Sequence, residues 1–183
     1  MKYLTLILGL TFLTSVGFSQ KYMTKNGHIK FYSETPMETI EAHNRQVNSA
    51  LDITSGDFVF KVLMKSFEFE KALMQEHFNE NYVESDKYPN ATFQGKVSNL
   101  DKIDFKTAGE YKVLVDGELT IHGVTMKVAE SGTFTVLDGK IDAISTFIVK
   151  PQDYKIKIPN TVIDNIADEI EVTVNVSMDA LKK

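Results

Sequence analysis

After Gln20 the chain alternates apolar and polar residues with a period of two, and this pattern constrains its fold more than any other feature. Ile170, Val172, Val174, Val176 and Met178 alternate with Glu171, Thr173, Asn175 and Ser177. Tyr111, Val113, Val115, Gly117, Leu119 and Ile121 make a longer face opposite Lys112, Asp116, Glu118 and Thr120. Successive side chains of a strand point to opposite faces, so such runs are strands with one apolar and one polar side. Shorter faces repeat the theme at Ile29 and Phe31, at Phe58, Phe60, Val62 and Met64, and at Phe93, Gly95 and Val97. Val124, Met126 and Val128 lead into Phe134 and Val136, and Ile141, Ala143, Ser145, Phe147 and Val149 follow. Turn signals separate the runs at Ser55-Gly56-Asp57, Ala108-Gly109, His122-Gly123 and Asp138-Gly139. Asp138-Gly139 is the strongest hairpin signal, since both residues tolerate positive φ, and His122-Gly123 predicts a second tight hairpin. The pattern predicts an all-β fold of about eight antiparallel strands, closed into a barrel that packs inward. Strands and helices do not alternate along the chain, which excludes a parallel α/β sheet.

One segment breaks the alternation. In Glu70–Glu84, Met74, Phe78 and Tyr82 recur at helical spacing with Leu73 beside them, while Glu76, Glu80 and Glu84 lie at other angles. Tyr88-Pro89 stops the helix. A second helical turn is predicted at Thr161–Ile166, capped by Asn160. No linker or repeat divides the chain, so residues 20–183 read as one domain. Residues 1–19 read as a signal peptide: Lys2 is followed by the apolar run Leu4–Phe12, and Gly17-Phe18-Ser19 is a small-x-small cleavage site. That run is too short to span a bilayer, so no stable membrane insertion is expected.

The chain has no Cys, which excludes disulfides, thiolate metal sites and a lipidated N-terminal Cys. Its net charge of −5 offers no attraction to nucleic acid or to anionic lipid surfaces. A homodimer is compatible with the sequence. No Gly-x-Ser-x-Gly elbow or glycine-rich phosphate loop is present, and Asp168-Glu169 has no glycosidase spacing. His77 and Glu80 could share a helix face as two ligands of a metal-assisted hydrolase, but zinc usually takes three or four. No cofactor is expected. Ser131-Gly132-Thr133 predicts a bulge or close strand contact.

Two polar residues are rim candidates. His122 would make a polar contact at the barrel mouth, or else bond a neighbouring carbonyl as a turn residue. Arg45, the only arginine, shares the parity of Val47 and Leu51 nearer the strand end. There it would suit a phosphate headgroup; the alternative is a surface pair with Glu41.

The stretch SGDFVFKVLMKSFEFEKALMQEHFNENYVESDKYPNATFQG, Ser55–Gly95, resembles the YceI-like family, as does DGELTIHGVT, Asp116–Thr125. The ending, from Phe147 through Asp153-Tyr154 and Ile156–Pro159 to the strand at Ile170, fits the same family. The resemblance implies a lipocalin-like antiparallel barrel with a short helical insert. It also implies a periplasmic protein holding a polyisoprenoid in an apolar tunnel, with no catalytic residue.

On this reading Phe58, Phe60, Met64, Phe93, Tyr111, Met126, Phe134 and Phe147 line the tunnel, and Met74, Phe78 and Tyr82 close it from the helix. Methionine side chains reshape around a flexible ligand. Gly95, Gly117, Ala143 and Ser145 leave space between the phenylalanines. The competing expectation is a filled barrel that acts through its surface on a partner, without ligand.

Overall fold

The computed structural model describes residues 21–181. The predicted signal peptide therefore lies outside the described residues. Two long strands come first, β1 (Lys21–Glu34) and β2 (Thr39–Asp52), followed by β3 (Asp57–Leu63) and the short β4 (Phe67–Phe69). Helix α1 (Ala72–His77) runs into a π-type turn at Phe78–Tyr82. The remaining strands are β5 (Asn90–Val97), β6 (Gly109–Ile121), β7 (Val124–Leu137), β8 (Lys140–Val149) and β9 (Ile170–Ala180). Every pairing is antiparallel. The order β1-β9-β8-β7-β6-β5-β3-β2 closes on itself through β1–β2, giving the eight-stranded barrel. A 3-10 turn at Met64–Ser66 separates β4 from β3, and β4 pairs with the first half of β2.

Both predicted hairpins form, with Ile121 opposite Val124 and Leu137 opposite Lys140. Their geometries differ from each other. His122 (φ 51°) and Gly123 (φ 72°) are both left-handed, the signature of a type I′ turn. At Asp138-Gly139 only the glycine is (φ 69°). The helix is shorter than the predicted Glu70–Glu84 because the π-type turn replaces its second half. The second helical turn spans Asn160–Asn165, but its cap position is Pro159 and no side chain caps it. Asn160 therefore lies inside the turn.

The barrel is solid at one end and hollow at the other. Tyr22, Leu51, Phe58, Val97, Val113, Phe134, Ile141, Val176 and Met178 fill the end formed by the start of β1 and the close of β9. A second apolar group, including Ile29, Ala42, Val47, Val62, Met64, Phe67 and Ala91, surrounds the opposite half.

Strand β2 is bulged. Its register with β1 steps from Gly27–Val47 to Ile29–Asn44, so Arg45 and Gln46 together oppose one residue of β1. Asn44, fully buried, secures the bulge. It accepts the Gln46 N–H at 2.9 Å and donates to the Leu63 carbonyl at 2.8 Å. Gly27 sits at the same level because a Cβ there would lie 2.5 Å from Val176.

Strands β7 and β8 pair only from Thr133–Leu137 to Lys140–Ile144. Val124–Gly132 and Ser145–Val149 then diverge, leaving a seam in the wall. The turn at Pro151–Tyr154 packs against β7, and Tyr154 is buried. Gly132 keeps the strands close where the seam begins: a Cβ there would lie 2.7 Å from the Ile144 carbonyl oxygen.

Candidate functional site

Two apolar chambers of about 290 and 120 Å3 lie in the barrel: the large one occupies the hollow end, and the small one reaches the packed end, where Phe58, Val113 and Phe134 border it. For scale, an engineered cavity of roughly 150 Å3 admits benzene. Ile29, Val62, Ala91, Leu119 and Phe147 line both chambers and form a waist between them. The inward face of β3, continued by Met64 of the turn after it, borders both chambers. Phe58 and Phe60 face the small chamber, Val62 stands at the waist, and Met64 faces the large chamber.

Aromatic side chains wall each chamber. In the small one the ring centroids of Phe58 lie 4.7 Å from Phe60 and 5.6 Å from Phe134, and Phe60 lies 6.2 Å from Phe93. The rings avoid face-to-face stacking, as aromatic quadrupoles favour. In the large one Phe78 packs against Phe31, Phe67 and Phe69 at 5.5, 5.6 and 5.1 Å. Met74 and Tyr82 line the same chamber from the insert, and burial pushes the Tyr82 phenol up. Ile156, Ile158, Val162 and Ile166 line it from the segment after β8.

Two polar ties hold these covering segments. Glu38, at the β1–β2 turn, accepts from Lys71 and from Asn165, both at 3.1 Å, and these bonds hold its carboxyl below the usual range. His122 lies 2.7 Å from Glu84 and 3.1 Å from the Tyr154 carbonyl.

The sequence-selected residues are placed as follows. Phe58, Phe60, Phe93 and Phe134 line the small chamber; Met64, Met74, Phe78 and Tyr82 line the large one; Phe147 lines both. Tyr111 lines neither. Its parity is inward, but it packs on the solid end opposite Phe134 and its hydroxyl donates to the Thr107 carbonyl at 3.0 Å. Met126 also lines neither and is 38% exposed. It stands on the part of β7 that does not pair with β8. Arg45 is exposed and turned away from the interior, because the bulge reverses the parity that Val47 and Leu51 implied. Nor does it pair with Glu41, whose carboxylate bonds His43 and Lys30. His122 lines neither chamber; it bonds a carbonyl, as a turn residue would, and also ties the insert.

The space expected at Gly95 and Gly117 is taken by the ring of Phe93. A Cβ on Gly117 would lie 2.7 Å from that ring and 2.6 Å from the Gly95 Cα. His77 lines the large chamber without Glu80. On the outer face, His28 and His43 approach to 3.0 Å, with His43 on Glu41. Among the described residues no group of three or more His, Asp or Glu is arranged to hold a metal ion.

Sequence reasoning missed Ile29, Ala91, Leu119 and the cavity-lining isoleucines after β8. Parity placed Ile29 and Leu119 inside, but only their axial level puts them at the waist. Ile156 and Ile158 alternate with Lys155 and Lys157, a two-residue signal that could have marked a second cover.

Similar folds occur in solved structures. A polyisoprenoid binding domain from Saccharophagus degradans, implicated in plant cell wall breakdown, matches with a TM-score of 0.77 at 13% identity, over 89% of this chain and 99% of that one. Burkholderia cenocepacia BcnA matches with a TM-score of 0.66 at 16% identity, over 82% and 95%. The Campylobacter jejuni YCEI protein matches with a TM-score of 0.64 at 20% identity, over the full length of both. These likenesses show the fold. No protein with a curated description matches in sequence. The model of the YceI-like domain matches residues 14–178, and the chain belongs to the YceI-like family.

Proposed function

We propose that this protein is an exported carrier that holds a polyisoprenoid, or a similar long apolar chain, in its two chambers. The observation that carries the reading is the pair of apolar chambers that adjoin one another at the shared Ile29–Val62–Ala91–Leu119–Phe147 waist. A filled barrel lacks such space, and a compact ligand would not need two chambers in line. The S. degradans neighbour, a polyisoprenoid binding domain of the same fold, supports the reading.

Burying apolar chain supplies the affinity. Each methylene contributes about 0.8 kcal/mol, so a five-carbon isoprene unit contributes about 3–4 kcal/mol at most. Ordering the chain costs part of this gain. Affinity therefore rises with chain length until both chambers are full. The protein works as a binder rather than a catalyst: its side chains shield a chain and move no proton or bond. The leader at residues 1–19 would deliver it to the periplasm, leaving Gln20 as the mature N-terminus.

Organic extraction of the purified protein followed by mass spectrometry tests the reading. A long prenyl lipid in the extract is the expected result. An empty extract, together with no uptake of an added long prenyl probe, would overturn it. Intact mass of the protein from the periplasmic fraction tests export and cleavage before Gln20.

A further inference from the structure

The charge pattern of the cavity specifies its cargo further than its shape does. This step rests on the ligand-binding reading and concerns the head of the bound chain. Among the described residues no lysine or arginine lines either chamber. Apart from the imidazole of His77, the titratable side chains there are the Tyr82 phenol and two carboxylates: Glu38 in the large chamber and Glu130 in the small one. Glu38 is already engaged by Lys71 and Asn165. An anionic head at that end would have to take Lys71 from Glu38 and then sit beside the freed carboxylate.

Glu130 has no such neutralising partner: none of the ion pairs among the described residues involves it. It follows Val128 and precedes Gly132 and Phe134 on the inward face of β7, and all four line the small chamber. It stands where β7 leaves β8, at the seam. Burial pushes its carboxyl up, as expected for a half-buried acid without a cation. The Glu130 charge also helps to raise the phenol of buried Tyr154, after burial itself and together with Asp153. The nearby Ser145 hydroxyl is spent on the Ser131 carbonyl at 2.7 Å. The charged group offered to a ligand in the small chamber is thus an acceptor, and it repels anions.

We infer that the cavity selects a long-chain lipid with an uncharged, hydrogen-bond-donating head, such as an alcohol. The head is seated at Glu130, the tail passes through the waist into the large chamber, and chains that end in phosphate are rejected.

The test is titration of the mature protein with geranylgeraniol and, separately, with geranylgeranyl phosphate. The alcohol should bind about tenfold tighter or more. Glu130→Gln keeps the shape and removes the charge, and should bring the two affinities together. Equal or tighter binding of the phosphate by the native protein, or a preference left unchanged by Glu130→Gln, would overturn the inference and leave the carrier reading standing. If neither chain binds, the carrier reading itself fails, and the inference with it.

Discussion

Glu84 and His122 stand 38 positions apart, yet Nε2 of the imidazole lies 2.7 Å from the Glu84 carboxylate, while Nδ1 faces the Tyr154 carbonyl at 3.1 Å. Both partners are acceptors, so a ring nitrogen that carries a proton donates to the one it faces. Glu84 (φ 45°), His122 (φ 51°) and Lys155 (φ 56°) are the non-glycine residues with positive φ among those described, and all three belong to this junction. Strained backbone persists where surrounding bonds over-determine it. Here those bonds join the helical insert, the β6–β7 hairpin and the segment after β8.

The junction makes stability depend on pH. The His122 bond, first, and the nearby Lys87 charge hold the Glu84 carboxyl below its usual value. A carboxyl lowered by folding stabilises the folded state above its ordinary value near 4.3, and that contribution fades as pH falls through the lower folded value. The melting temperature of Glu84→Gln should therefore lie below that of the native protein between about pH 5 and 6, with the gap closing below about pH 4. Thermal melts of the two proteins at matched pH check this.

The waist should set how affinity depends on ligand length. Ala91 is buried and lines both chambers. Ala91→Phe should obstruct the passage at a stability cost of about 1–3 kcal/mol or less, because part of the added ring enters open space. Native affinity for a series of prenyl alcohols should climb with each isoprene unit. The variant should reach a plateau once one chamber is filled, which calorimetric titration across the series will show.

Solid and hollow ends should respond differently to truncation. Phe134 is 1% exposed in the packed end, and Phe134→Ala should cost about 3–5 kcal/mol. Met74 faces the large chamber from a helix with no buried residue, so Met74→Ala should cost about 1 kcal/mol or less. Denaturant midpoints of the two variants decide the ranking.

The bulge in β2 rests on one amide. Asn44→Ala leaves the Gln46 N–H and the Leu63 carbonyl without their partner in a buried setting, at a cost of about 1–3 kcal/mol for each group that water cannot reach. Asn44→Asp keeps the acceptor for Gln46 but sets a buried carboxylate against the Leu63 carbonyl, and should cost at least as much as Asn44→Ala. Chemical denaturation of the three proteins orders them.

Period-two alternation made the strands readable, because one face of each must leave water. It placed Phe58, Phe60, Phe93, Phe134 and Phe147 inside, and helical spacing brought Met74, Phe78 and Tyr82 together. Parity says which way a side chain points but not how far along the axis it stands. Tyr111 therefore read like Phe93, although one meets the packed end and the other a chamber. Nor does parity survive an inserted residue, which is why Arg45 read as inward. The divergence of β7 from β8 left no local mark, since Met126 and Val128 alternate as well as any paired strand. Glu130 broke that alternation with a charge at an inward position, and the pattern alone did not distinguish it from an outward acid.

A barrel packed solid at one end and open at the other has walls that are firm at one extremity and yielding at the opposite one. Along β3, amide protons near Phe58 should exchange with solvent far more slowly than those near Leu63, although both belong to one seven-residue element. The sleeve can thus breathe around tails of differing girth while its closed base keeps the strands in register.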